Sequence, residues 1–139
     1  MTRRRDRTLA LLGRLNRLAV EDAARELGAL RAEESRLVRD RDALLTQMLE
    51  DRTAPDAEGA PYRAAWMRAL SAETQRLSAA AVRMRPEIDR ATDRVAEAFR
   101  EAKTSETLRA RRRAEADQAT AAAERADLDP FLTRFPDAD

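Results

Sequence analysis

The side chains able to do chemistry in this 139-residue chain are almost all guanidinium and carboxylate groups. There are 27 Lys and Arg against 26 Asp and Glu, with no histidine and no cysteine. A Ser-His-Asp triad, a cysteine nucleophile, a zinc site of the usual kind and a disulfide are thereby excluded. The lone lysine, Lys103, sits among charged and polar neighbours and lacks the apolar pocket that a Schiff-base lysine needs. Gly13, Gly28 and Gly59 stand too far apart to form a phosphate loop. The carboxylates are spread at spacings that suit i,i+4 pairing with arginine on helix faces, and none pairs with another for acid–base work. The expectation is a protein that is not an enzyme and carries no cofactor and no metal.

What remains is recognition. Arg109, Arg111, Arg112 and Arg113 form a cluster that could grip an acidic protein surface or a nucleic acid, or be a solvated helix face offset by nearby acids. The net charge is only +1, and residues 1–60 and 61–139 come to 0 and +1. A nucleic-acid-binding chain usually shows a distinct basic excess, so a protein surface is expected and nucleic acid is not. Trp66 and Tyr62 stand just after a loop signal. They either close the end of a helix pair near Met48 and Met67 or offer an aromatic anchor to a partner. Phe131, Leu132 and Phe135 are apolar without an obvious core to enter.

Composition specifies the elements that carry these residues. Alanine supplies 30 residues of a 43% hydrophobic fraction, charged residues reach 38%, and only 3 glycines and 5 aromatic residues occur. An Ala/Arg/Glu/Leu-rich chain with few β-branched residues reads as long helices or coiled coil. Turn residues cluster in TAPDAEGAP, residues 53–61. This divides the chain into a single hairpin: helix 1 at about 7–52, the loop 53–61, helix 2 at about 62–127 and a tail 128–139. In the tail, Asp129 and Pro130 suit the start of one short helical turn.

Apolar residues recur at alternating steps of three and four. In helix 2 the row is Met67, Leu70, Thr74, Leu77, Ala81, Met84, Ile88, Ala91, Val95, Ala98 and Ala102; in helix 1 it is Val20, Ala23, Leu27, Leu30, Glu34, Leu37, Arg41, Leu44 and Met48. An antiparallel register pairs Leu37 with Leu77, Leu44 with Leu70, Met48 with Met67 and Val20 with Val95. It sets Arg41 opposite Thr74, Glu34 opposite Ala81, Asn16 opposite Ala98 and Gly13 opposite Ala102, so that each long polar residue faces a small one. The fold class expected is all-α: two long helices in an antiparallel coiled-coil hairpin, the second longer and kinked at Pro86. A break near Arg85, giving a three-helix bundle, is the alternative. Beyond roughly Ser105 helix 2 is expected to run out of partner. That overhang would hold the arginine cluster and a thin stripe of Ala116, Ala119, Ala123 and Ala126.

No stretch approaches the ~20 apolar residues of a membrane span. The opening MTRRRDRTLALLGRLNRLAV has a charged start and an apolar run, but Arg14 and Arg17 interrupt the run and no small-residue cleavage site follows. A cytoplasmic location is expected.

Several segments resemble the FliJ family, the stalk proteins of the flagellar type III export ATPase. VEDAARELGALR at 20–31, preceded by TLALLGRLNRLA, is similar to the family's first helix; YRAAWMRALSAETQ at 62–75 is similar to the start of its second. FREAKTSETLRARRR at 99–113 resembles its aromatic-basic stretch, and LDPFLTRF its C-terminal motif. The start MTRRRDR, Pro86 and the reliance on arginine depart from the pattern. The resemblance implies a non-enzymatic stalk that couples a hexameric export ATPase to the cytoplasmic domain of the export gate and also binds export chaperones. It would be cytoplasmic and associated with the inner-membrane export apparatus through partners only. By position, Leu44, Gln47, Trp66 and Leu70 would face the gate, and Arg109, Arg111, Arg112 and Arg113 would face the ATPase ring. The stalk of a virulence type III secretion system, a generic coiled-coil adaptor or chaperone, and a nucleic-acid-binding hairpin are the other readings.

Overall fold

The computed structural model describes residues 2–52 and 59–133. It is all-α: helix α1 spans Thr2–Arg52 and helix α2 spans Ala60–Thr133, and the two pack against each other. Residues 53–58 of the expected loop, and Phe135 and Pro136 of the tail, lie outside the described residues. α2 starts where Gly59 leaves off, its carbonyl accepting from the Arg63 N–H at 2.8 Å, and Pro61 falls in the first turn, where no N–H is needed. Both helices exceed their expected bounds. α1 begins at Thr2 instead of about residue 7. α2 continues through Asp129 and Pro130 to Thr133, where a separate short turn was expected. Pro130 deprives only the exposed Ala126 carbonyl of a helical bond, which water can replace.

Pro86 does not divide α2, so the three-helix alternative falls. Pro86 faces solvent, and so does Val82, whose carbonyl loses its partner to the ring. The defect lies on the solvent side of the helix and leaves the apolar row intact.

Contacts group the chain into two units, Val20–Glu97 and a second made of Met1–Ala19 with Ala98–Asp139. In the first, every member of the expected rows is buried or half-buried. Leu37, Leu70, Leu77, Ala81 and Ala91 are the most enclosed. Leu37, Leu77 and Ala81 form a cluster against which Val38, Leu44, Ala80 and Met84 pack. The Leu37–Leu77 association is the one the spacing predicts. Thr74 lies in the row and satisfies its hydroxyl by donating to the Leu70 carbonyl at 2.8 Å. Arg41 is half-buried, with its head turned to Asp42 at 3.0 Å. In this unit an ion pair crosses between the helices, Arg94 to Glu26 at 2.6 Å.

In the second unit the expected register is displaced. Asn16 donates to the Ser105 hydroxyl at 2.5 Å and to the Glu101 carbonyl at 3.4 Å, and does not sit opposite Ala98. Arg109 reaches across Gly13, a Cβ on which would lie 3.5 Å from the guanidinium, and Ala102 lines the same cleft. The contacts have moved by up to a heptad along α2. The reason is polar: an amide facing alanine leaves its donors unmet, whereas Ser105 and the Glu101 carbonyl accept them. Among the described residues no buried side-chain nitrogen or oxygen lacks a partner.

Exposed ion pairs lie mostly within one helix. Arg36 grips Glu33 at 2.5 Å and Arg76 grips Glu73 at 2.5 Å, each one turn apart. The hydrogen bonds from those arginines hold both carboxyls below the usual glutamate range. Because both are lowered on folding, their contribution is present at neutral pH and fades as pH falls through the carboxylate range. Thermal melts followed by circular dichroism should show a midpoint that falls with acidification, and Glu33→Gln with Glu73→Gln should flatten that slope. The same melts should separate the core from the helix faces. Leu77→Ala should cost about 2–5 kcal/mol. Gly28→Ala, which adds a methyl with nothing within 4 Å of it, should stabilise by about 1 kcal/mol.

Candidate functional site

Two surfaces gather the residues singled out from sequence, one in each unit. The first lies at the loop-proximal part of Val20–Glu97. Of its four expected residues, two face the partner helix. Leu70 is only 7% exposed, and Leu44 packs on the Leu37–Leu77–Ala81 cluster. Gln47 and Trp66 are exposed. Trp66 is held in place, its indole N–H donating to the Asp51 carboxylate at 2.8 Å. Asp51, Tyr62, Arg63, Ala65, Trp66 and Ala69 line a shallow hollow, with Tyr62 almost fully exposed beside it. One edge of Trp66 is tied to α1 through Asp51, and about half the side chain faces solvent.

Leu45 and Leu49 are also exposed and were not expected. The signal was present in the doublets Leu44–Leu45 and Met48–Leu49. Only one member of each can face α2, because neighbouring residues on a helix point about 100° apart.

The second surface is in the other unit, and here folding changes what composition implies. The four arginines of the cluster divide. Arg109 and Arg112 turn toward α1, the first across Gly13 and the second 3.9 Å from Asp6. Arg111 and Arg113 are exposed. The expected loss of partner at Ser105 is therefore corrected: Ser105 is 5% exposed and bonded to Asn16, and side chains of α1 line clefts with α2 as far as Ala116. α1 reaches this far because it starts at Thr2.

That pairing brings two basic stretches together. Residues 1–19 hold six arginines and one carboxylate; residues 98–116 hold six basic residues and three carboxylates. Linear halves of the chain cancel in charge, but the folded-back segments sum to twelve basic against four acidic groups. Arg4, Arg5, Thr8, Leu9 and Arg112 line one cleft there; Gly13, Arg17, Glu106, Arg109 and Arg113 line another. Lys103 lies 5.8 Å from the centre of the Phe99 ring and 3.6 Å from Glu106. An anionic surface approaching these clefts would meet guanidinium forks with little acid between them.

Among the described residues, no group of three potential ligands is placed to hold a metal ion, and no helix is long and apolar enough to cross a membrane. Comparison with known protein families, with characterised proteins and with solved structures finds no match to this chain.

The Asn16–Ser105 bond is the polar contact most directly linked to register. A double-mutant cycle of Asn16→Ala and Ser105→Ala in urea denaturation should give a coupling of about 0.5–3 kcal/mol. Each single change should be worse than half of the double, because each strands a polar partner.

Proposed function

We propose that the chain is a non-enzymatic central stalk of the flagellar type III protein export apparatus, coupling a hexameric export ATPase to the export gate and its chaperones. The observation that carries this reading is the pair of antiparallel helices with a longer second helix whose terminal unit concentrates arginine. A ring of subunits with an acidic inner rim would attract such an end electrostatically and hold it without asking it for chemistry. The gate would meet the other surface, where Gln47 and Trp66 are exposed and Tyr62, Leu45 and Leu49 add apolar area. Leu44 and Leu70 contribute there only to the helix–helix interface beneath that surface. In this reading the protein is cytoplasmic and reaches the membrane apparatus only through its partners.

The test is reconstitution with a hexameric export ATPase from the same organism. Adding the chain should promote ring assembly and raise hydrolysis. Arg111→Glu with Arg113→Glu should reduce the stimulation several-fold at unchanged helix content, because both side chains are exposed. Trp66→Ala should leave the stimulation intact and weaken binding to the gate domain. If neither variant nor the parent chain affects hydrolysis, the coiled-coil adaptor reading replaces this one.

A further inference from the structure

The unit formed by Met1–Ala19 and Ala98–Asp139 leaves two complementary faces uncovered. On α1, Leu11, Leu15 and Leu18 recur at helical spacing and are each more than half exposed, an arrangement foreign to the outside of a helix pair. Arg7, Arg14 and Arg17 flank this stripe, and Glu21 and Asp22 follow one turn beyond Leu18. On α2, the three-and-four spacing of the row that faces α1 persists past Arg112 through Ala116, Ala119, Ala123 and Ala126, all exposed. From Asp117 to Pro130 every α2 side chain is exposed except half-buried Ala121. This extension is acidic, with Asp117, Glu124 and Asp127 against Arg125 between residues 117 and 128.

The two faces match in size, sign and shape. Residues 117–133 extend for about 25 Å and Arg3–Leu18 for about 24 Å at ~1.5 Å per residue. An alanine row lets a helix approach closely, and leucines fill the space it leaves. Opposite charges flank the two stripes. They cannot meet within one molecule, because α2 is one unbroken helix and each residue beyond Ala116 moves it further from Leu11–Leu18 of its own α1.

We infer that the α2 extension of one copy docks on the outer leucine face of α1 in a second copy, giving a two-fold symmetric dimer. The exchange is reciprocal, so a single symmetry axis covers both leucine stripes and both alanine rows. In this arrangement each extension runs parallel to the α1 it covers, with Asp117 near the start of that helix and Asp127 near the Arg14–Arg17 turn.

The chain has no cysteine, which makes the arrangement directly readable. Full-length Leu11→Cys and full-length Ala123→Cys, mixed and oxidised, should form a disulfide-linked heterodimer in high yield, whereas either variant alone should not crosslink efficiently. Sedimentation of the parent chain should show a monomer–dimer equilibrium that weakens as salt rises. Leu11→Gln with Leu15→Gln should raise the dissociation constant at least tenfold with unchanged circular dichroism. Arg7→Glu with Arg14→Glu should weaken self-association, and adding Asp117→Arg with Asp127→Arg in the mixed partner should restore it. A chain that stays monomeric at 100 µM in low salt overturns the proposal, as does a dimer that fails to crosslink at these positions. A monomer that instead floats with vesicles of anionic lipid also overturns it and assigns the leucine face to a membrane surface.

Discussion

A chain of two helices has one interface in which to withdraw apolar surface from water, and here each helix contributes a single row to it. The enclosed residues are few: Leu37, Leu70, Leu77, Ala81 and Ala91, with Ser105 among the polar ones. Among the described residues no second layer lies behind them, so each carries a large share of the burial that offsets the entropy of ordering the helices. The interruptions of the row are accordingly each resolved locally. Thr74 bonds its own helix, Arg41 sends its charge to Asp42, and Asn16 reaches Ser105 across the interface. Trp66 and the arginine clefts are positioned only to the extent that this interface holds.

Charge pairing plays a different part. The close ion pairs Arg36–Glu33, Arg36–Asp40 and Arg76–Glu73 lie within one helix and support that helix alone. Arg94–Glu26 and Arg112–Asp6 do cross, but both are substantially exposed, and exposed pairs contribute little. Relative alignment of the helices thus depends on the apolar rows and on polar side chains that bond across the interface. In the unit holding the termini, Asn16 is such a side chain. A lone amide in an apolar row is a costly error when misaligned, and that cost discriminates between registers a heptad apart that apolar residues alone would nearly tolerate.

This explains what could be read from the residues in advance. The helical class and membership of the apolar rows follow from periodicity, and every row residue from Val20 to Met48 and from Met67 to Ala102 is indeed buried or half-buried. Periodicity is silent on register once alanine is abundant, since Ala98, Ala102 and Ala91 accept almost any neighbour. Volume matching put Asn16 against Ala98; hydrogen bonding puts it against Ser105. The helix ends were missed because an exposed proline such as Pro130 costs a bond that water replaces. At the loop-proximal surface Trp66 was legible as a lone tryptophan, while Leu44 and Leu70 were drawn to it by their nearness in sequence although their period already assigned them to the interface.

The basic surface was the least legible, for a reason that belongs to topology. Charge counted along the chain averages over residues that never meet: residues 1–60 balance, and so nearly do 61–139. Folding the chain back sorts the same charges by distance. It places the arginines of 1–19 beside those of 98–116, leaves residues 20–97 with thirteen basic and sixteen acidic groups, and leaves the acids of 117–129 beyond Ala116. At physiological ionic strength a charge acts over about 8 Å, so a partner senses the local cluster and not the total. A chain of net charge +1 can in this way present a strongly cationic surface and, one or two helical turns further along α2, an anionic one. The exposed leucines lie on the cationic side. Guanidinium groups around them oppose like-charged approach and favour a partner carrying acid beside a small-residue face, so that the apolar stripe contributes attraction and the surrounding charge contributes selectivity.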